Sequence, residues 1–307
     1  MADSVPDPAL VSVIVPVYNY GAYIARALES LFRQSHRNLE IIVVDDGSTD
    51  DTPQILARYG DRIRWVRQEN RGAAAARNRG IGMARGEYIA FLDADDAYRP
   101  DNIARKLRFL REHPRYRWCY SDWAWVDAQG VPRRFGHEPE RSLARLKAEG
   151  DVLPLALQGY RLGTNLFLFA REVIEEVGGF DESLTVLEDY DLYVRAAARY
   201  PLGYVDRVLV EVHEHAGSLC TGTDPAIAWR CRRRMHRKFV RLFGSVLQRE
   251  DVRPAWRRQQ ADLYRHLAEA ELIRRHGRRA RTLACASLRY RWWQPGLLRI
   301  AHRLLWG

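Results

Sequence analysis

Val11-Ser-Val-Ile-Val-Pro-Val-Tyr-Asn19 is a run of β-branched residues broken only by Ser12 and Pro16 before it reaches a tyrosine and an asparagine. A strand that is apolar at consecutive positions is buried on both faces, as strands of a parallel sheet between two helix layers are. Downstream, Ile24, Ala27, Leu28, Leu31 and Phe32 recur at helical spacing between Tyr23 and Gln34. Glu40-Ile-Ile-Val-Val44 reads as a second strand, Thr52 to Tyr59 as a helix and Arg62-Ile-Arg-Trp-Val66 as a short third strand. Ala73 to Ala84 is an alanine-rich helix stopped near Gly86, and Glu87-Tyr-Ile-Ala-Phe-Leu92 is a fourth strand. Asp101 to His113 is a helix with Pro100 at its start. This succession predicts an α/β fold, a mostly parallel sheet with helices on both faces.

The pattern then loosens. Trp118 to Val126 reads as a strand closed by a turn at Gly130-Val-Pro132, residues 133 to 160 as a loop plus a helix, and Phe167 to Ala170 as a strand. Glu172 to Val177 is a short helix stopped by Gly178-Gly179, Asp189 to Ala198 a helix, and Tyr204 to Val212 a last strand. Beyond Pro225 everything is helical: Ala226–Leu247, Ala255–Arg275, Arg279–Leu288 after a break at Gly277, and Gly296–Trp306. Two domains are expected, residues 1–224 as the α/β domain and 225–307 as a basic helical region.

Composition bounds the function. Apolar residues at 47% and charged residues at 29% fit a folded globular chain and exclude a disordered or collagen-like one. No run reaches the roughly 18 to 20 apolar residues of a membrane span. Cys119, Cys220, Cys231 and Cys285 lack C-x-x-C spacing, which argues against a thiolate zinc site and for a reducing compartment. With no secretory signal at the N-terminus, a cytoplasmic protein is expected, placed free or on the cytoplasmic membrane face. The net charge of +10 is uneven. Residues 226–307 hold 21 Lys and Arg against 5 Asp and Glu, a net +16; the remainder holds 28 against 34, a net −6.

Ligands of an open α/β sheet bind beyond the carboxyl ends of its strands. Three such ends carry Pro16-Val-Tyr-Asn19, Asp45-Asp-Gly-Ser-Thr-Asp50 and Asp93-Ala-Asp-Asp96. Carboxylates crowded into one cleft repel one another unless a cation joins them. A hard divalent ion held by one or two carboxylates and phosphate oxygens suits that need. Asp50 and Asp101 read instead as turn and helix-cap residues.

These pieces, in order, resemble the inverting glycosyltransferases of family 2, which have the GT-A fold. The resemblance rests on Val13-Ile-Val-Pro-Val-Tyr-Asn19, Val43-Val-Asp-Asp-Gly-Ser-Thr-Asp50, Asn70-Arg-Gly-Ala-Ala-Ala-Ala-Arg-Asn78, Gly86-Glu-Tyr-Ile-Ala-Phe-Leu-Asp-Ala-Asp-Asp96, Gly178-Gly-Phe-Asp181 and Glu188-Asp189. It implies that Pro16, Tyr18, Asn19 and Asp46 hold the base of a nucleotide, and that Arg71, Gly72 and Arg77 face the nucleotide and its phosphates. It further implies that Asp93 supports the ribose or the metal shell, that Asp95 binds Mg²⁺ or Mn²⁺, and that Asp189 is the general base. His215 fits the family's histidine, as metal ligand or diphosphate contact. His213 stands where arginine is more usual, which leaves its role open. Asp96 reads equally as cap or ligand, and Asp191 as structural.

The resemblance implies a nucleotide-sugar donor, UDP by family habit with GDP and dTDP open, and a hydroxyl acceptor on a glycan or lipid-linked glycan. A catalytically inactive, nucleotide-binding scaffold at the membrane surface is the alternative. A sugar nucleotidyltransferase is disfavoured, because Pro16-Val-Tyr-Asn19 stands where its phosphate loop belongs. Gly163-Thr-Asn165 borders the acceptor cleft by resemblance, or is ordinary turn chemistry. Trp118, Trp123 and Trp125 fit core or sugar stacking. Arg230-Cys-Arg-Arg-Arg-Met-His-Arg-Lys238 and the Trp- and Arg-rich terminus suit either a solvated helical face or an anionic membrane surface. Nucleic acid is disfavoured, since no recognised module accompanies the charge.

Overall fold

β1 (Val11–Val17) is buried along its whole length and pairs in parallel with β2 (Leu39–Asp45) on one side and β4 (Tyr88–Phe91) on the other. β3 (Arg64–Arg67) continues the parallel order beyond β2. α1 (Gly21–Phe32), α2 (Thr52–Ala57) and α3 (Ala73–Met83) form the crossovers. The close seat of α3 on β1 depends on Gly80: a Cβ there would lie 2.4 Å from Ile14 Cγ2.

The computed structural model describes residues 8–127, 130–135, 147–159, 162–215, 225–273, 276–291 and 300. Among them the sheet has nine strands, ordered β3-β2-β1-β4-β8-β6-β9-β5 with β7 off this path. Its second half is mixed. β8 (Phe167–Ala170) runs antiparallel to β4, and β6 (Trp118–Val126) antiparallel to β8. β9 (Gly203–His213) is parallel to β6, while β5 (Ala97–Tyr98) and β7 (Pro132–Phe135) pair antiparallel with β9 and β6. Neither β5 nor β7 has a periodicity to read: one is two residues long, the other opens on a proline and continues with two arginines. Trp118 is fully buried against Phe167 and Phe169, at ring distances of 5.2 and 5.4 Å. Trp123 is buried too, and Trp125 lies half-buried beneath Arg134 at 4.3 Å.

The topology decides where the acidic loop goes. Residues 92–96 alone link β4 to β5, which stand four strand spacings apart, about 19 Å in a flat sheet. Part of that link is spent on a turn, Asp96 N donating to Asp93 O at 3.0 Å. The sheet therefore curls, and the loop lies across its carboxyl edge. α4 (Asn102–Glu112) follows, and α6 (Arg171–Val177) and α7 (Glu188–Ala197) complete the helices of this unit. Lys106 of α4 is wholly buried and donates to Leu166 O at 2.7 Å, in the turn that carries Asn165.

The chain divides into two compact units, Met1–Val152 with Leu162–Ser218, and Leu153–Arg161 with Leu219–Gly307. The second contains α5 (Leu153–Leu157), α8 (Pro225–Phe243), α9 (Arg253–Ile273) and α10 (Gly277–Tyr290). The expected boundary at 224/225 adjoins residues 216–224, outside the described residues; the expected helix Gly296–Trp306 also lies outside them apart from Ile300. Gly277 opens α10, and Ser287 of α10 donates its hydroxyl to Ala261 O of α9 at 2.7 Å.

The helical unit has a buried titratable group. His236 of α8 is 4% exposed, packs on Trp256 and meets Gln260 Nε2 at its Nδ1. Burial lowers its pKa to about 4, so the fold favours the neutral ring. That contribution is complete above the unfolded pKa near 6.5 and is lost as pH falls toward 4. Chemical denaturation between pH 7 and 4.5 is expected to show a loss of the order of 2–3 kcal/mol from this group. His236→Gln is expected to flatten that limb.

Candidate active site

The first layer of the site is a set of loops tied together by side chains. Asn19 sits at φ +56°, a left-handed conformation that only asparagine, aspartate and glycine adopt readily. Its Oδ1 accepts from the backbone N–H of Thr49 at 2.7 Å, and its own N–H donates to Ser48 Oγ at 2.9 Å. The end of β1 is thereby locked to the end of β2. Asp50 binds the N–H groups of Gly21 and Thr52, the structural role expected of it. Pro16 is buried opposite Val44, whereas Tyr18 is 42% exposed beside it.

Asp46 organises the next loop. Its Oδ1 accepts from Gln68 Nε2 at 2.7 Å and Arg71 N at 3.0 Å, and its Oδ2 from Gly72 N at 2.7 Å. One lone-pair direction on Oδ2 stays available for a further donor. Gly72 caps α3 at φ +90°, a conformation that strains any residue with a Cβ. Arg71 is mostly exposed and pairs with Glu182 at 2.8 Å.

Arg77 stands at the centre. It is 6% exposed, and its two terminal nitrogens donate to Asp93 Oδ1 at 2.8 Å and Glu188 Oε1 at 2.9 Å. Both amino groups are thus committed to carboxylates, a different duty from the phosphate contact expected. The two charges outweigh its burial and hold it firmly protonated. Asn78, one residue on, grips the turn at Phe180 through both amide atoms, at 2.8 and 2.9 Å. α3 therefore carries the acidic loop on one side and the entry to α7 on the other.

α7 begins after Leu187, which has φ +68°. A leucine held there costs of order 1–3 kcal/mol, strain that clusters at functional sites. The next two residues are Glu188 and Asp189. Although part of Asp189 remains accessible, its carboxyl group is surrounded by protein, and burial, then the charge of Glu188, raises its pKa to about 6. The Tyr190 N–H, 2.6 Å from Oδ1, and the Arg77 charge oppose the shift. Asp191 is buried and paired with Arg195 at 2.7 Å; Arg195 in turn donates to Gly179 O at 2.7 Å. That pair anchors α7, as a structural aspartate should.

The loop after β4 completes the site. Asp95 Oδ2 lies 2.9 Å from His215 Nε2, and its carbonyl accepts from Arg26 at 2.6 Å. His215 stacks on Tyr23 at 4.6 Å and meets the edge of Tyr20 at 5.8 Å. Burial, then Asp93, raises the Asp95 pKa. Burial, then Asp95 and Asp93, pushes the Tyr20 hydroxyl up to about 12. Asp96 points inward and is a structural brace: Oδ1 accepts from His213 N at 3.0 Å, and Asn165 Nδ2 donates to Oδ2. The β5–β9 pairing brings the two histidines to this loop. His213 is buried, with no hydrogen-bond partner for either ring nitrogen among the described residues, and burial lowers its pKa to about 4.

The structure thus joins Asp93 to Glu188 through Arg77 and Asp95 to His215, and the Asp93 charge is felt by both Asp95 and Asp189. Asp46, Arg71 and Gly72 form an adjoining loop held by the same helix. Sequence reasoning missed Tyr20, Tyr23, Asn78 and the Glu188 link to Arg77. Among the described residues, no three His, Cys, Asp or Glu side chains gather as a ready-made metal site. Asp93, Asp95 and His215 nonetheless suit a hard cation that keeps several waters and takes one or two carboxylates plus phosphate. Burial first, and the Asp93 charge second, disfavour the Asp95 carboxylate, and a cation would relieve both.

Residues 12–150 match the family model described as Glycosyl transferase family 2. An uncharacterized glycosyltransferase of Rickettsia felis is 34% identical over 210 residues, covering 67% of this chain and 34% of the relative; the chain thus spans about a third of that protein's length. Staphylococcus aureus TarS (residues 1–349) in complex with UDP-GlcNAc aligns with TM-score 0.63 at 21% identity, over 91% of this chain and 89% of that one. The Pyrobaculum calidifontis mannosyltransferase PcManGT in complex with GDP-Man and Mn²⁺ aligns with TM-score 0.57 at 21% identity, over 99% and 90%. At such identities these structures speak to the fold alone. In motif order, in the match over residues 12–150 and in its GT-A-type fold, the chain resembles the family 2 glycosyltransferases.

Proposed function

We propose that this chain is an inverting glycosyltransferase that moves a sugar from a nucleoside diphosphate sugar to a hydroxyl of a glycan or lipid-linked acceptor. The observation that carries this reading is the Arg77 bridge between Asp93, in the acidic loop, and Glu188, which adjoins Asp189. One guanidinium ties a carboxylate that suits a diphosphate and its cation to the residue next to the carboxylate that suits a base. UDP is the expected nucleotide; the complexes of TarS with UDP-GlcNAc and of PcManGT with GDP-Man support the donor class.

Asp189 takes the proton of the acceptor hydroxyl while that oxygen attacks the anomeric carbon. The bond from that carbon to the phosphate oxygen breaks on the opposite face, and the nucleoside diphosphate leaves with the electron pair. Tyr18 and Asp46, with Pro16 and Asn19, border the base. Arg71 and Gly72 line the approach to the phosphates. Asp93 and Asp95, with His215, would hold Mg²⁺ or Mn²⁺, whose charge when bound stabilises the departing diphosphate.

Release of nucleoside diphosphate from a panel of UDP-, GDP- and dTDP-sugars, with and without EDTA, tests the proposal. Turnover that EDTA suppresses is expected. Nucleotide binding without release would favour an inactive scaffold. Asp95→Ala is expected to weaken metal-dependent donor binding by at least about 10–100-fold, the loss typical when even an outer-shell partner of a metal ligand is removed. Calorimetric titration of the donor with and without Mn²⁺ reads that loss, and binding of metal-free UDP should change little.

A further inference from the structure

The outward face of α8 has no use in the chemistry above. Its 19 residues include seven lysines and arginines and no acidic residue. Cys231, Met235, His236, Phe239 and Phe243 are buried on one side of the helix. Arg230, Arg233, Arg237 and Arg241 are exposed on the other, at spacings of three, seven and eleven residues from the first. At 100° per residue they fall within an arc of roughly 80°, along about 16 Å of helix. None has a carboxylate partner among the described residues, whereas arginines elsewhere pair readily, as Arg64 does with Glu40 and Arg99 with Glu211.

Arginine-rich composition alone does not account for this. Like charges four residues apart, such as Arg233 with Arg237 and Arg237 with Arg241, destabilise a helix. An external anion that neutralises such a stripe relieves that repulsion. One further residue bears on which anion. Val240 lies on the rim of the arginine arc, about 20° beyond Arg233, and is 54% exposed. An exposed aliphatic side chain beside a row of cations suits insertion at the headgroup level of a bilayer. It offers nothing to a phosphodiester groove, where polar side chains and aromatic stacking would be expected. No helix among the described residues is long and apolar enough to cross a membrane, so the contact is one of lying on the surface.

We propose that the Arg230–Arg241 face of α8 docks the protein on an anionic lipid surface, with Val240 at its rim entering the headgroup layer. Sedimentation of the full chain with phosphatidylcholine vesicles, with and without phosphatidylglycerol, tests this. Binding is expected only with phosphatidylglycerol, weakening as salt rises. Each basic residue near such a surface is worth roughly fivefold in partitioning. The triple variant Arg233→Gln, Arg237→Gln, Arg241→Gln is therefore expected to bind about a hundredfold more weakly. Val240→Asp, at an exposed position, should also weaken vesicle binding while leaving the unfolding midpoint unchanged. Should the triple variant fold poorly, the dependence of the unaltered chain on phosphatidylglycerol and salt, with the Val240→Asp variant, carries the test. The proposal is overturned if phosphatidylglycerol vesicles are not bound, or if the variants bind as the unaltered chain does. It is equally overturned if duplex DNA is bound more tightly than the vesicles, with the Val240→Asp variant indifferent. Donor turnover measured without vesicles is read separately, so either reading can fail alone.

Discussion

Asp189→Asn is expected to lower the rate of sugar transfer by about 10²–10⁴-fold, the usual worth of a positioned general base, with donor binding near that of the unaltered enzyme. The asparagine keeps the shape of the side chain and an oxygen for the Tyr190 N–H, but it cannot take a proton. The pH profile provides a second reading of the same group. Burial and Glu188 raise the Asp189 pKa to about 6, so the carboxylate needed as base is present above that pH and lost below it. kcat should rise with pH through about 6 to a plateau, and the residual activity of the asparagine variant should lack that limb. Direct measurement of nucleoside diphosphate release across pH 5 to 8 distinguishes the two enzymes. Normal turnover by Asp189→Asn would remove the base from this site.

What was legible in the sequence was local. β1, β2 and β4 announce themselves because a strand buried on both faces must be apolar at successive positions, and Val11–Val17 is buried at every one. Asp93, Asp95 and Asp189 stand out because motifs keep them at fixed offsets from those elements. Contacts across long separations left no such mark. Arg77 and Glu188 are 111 residues apart, and His215 and Asp95 are 120. A signal for Arg77 existed nonetheless: it follows Ala74, Ala75 and Ala76 on the buried side of α3, with Gly80 three residues on. A cation on an apolar helix face requires buried carboxylates, and only the topology says which. The two-residue β5 was invisible for the same reason, yet its pairing with β9 is what brings His213 and His215 to the acidic loop.

Arg77→Met should cost more stability than any other single change at the site. A buried ion pair contributes little over a well-packed apolar pair, but removal of one partner leaves the other charge buried and alone, typically 3–5 kcal/mol worse. Here one guanidinium serves two carboxylates. Glu188 has a side chain 16% exposed, and Asp93, at 34%, recovers part of its loss from water. About 3 kcal/mol is therefore the expected fall in unfolding free energy, read from denaturant titration. Arg77→Lys should recover only part, because a point charge cannot reach both carboxylates as a planar fork does. A stability loss alone would suit any buried arginine, so the decisive readout is again the base. Arg77 holds the Asp189 pKa down against burial and Glu188, and its removal should move the rising limb of kcat above pH 6. Glu188→Gln in the Arg77→Met background removes one of the stranded charges; it should restore part of the stability and return the limb toward lower pH. If Arg77→Met left the limb where it was, the guanidinium would be a brace between two loops with no hold on the proton transfer.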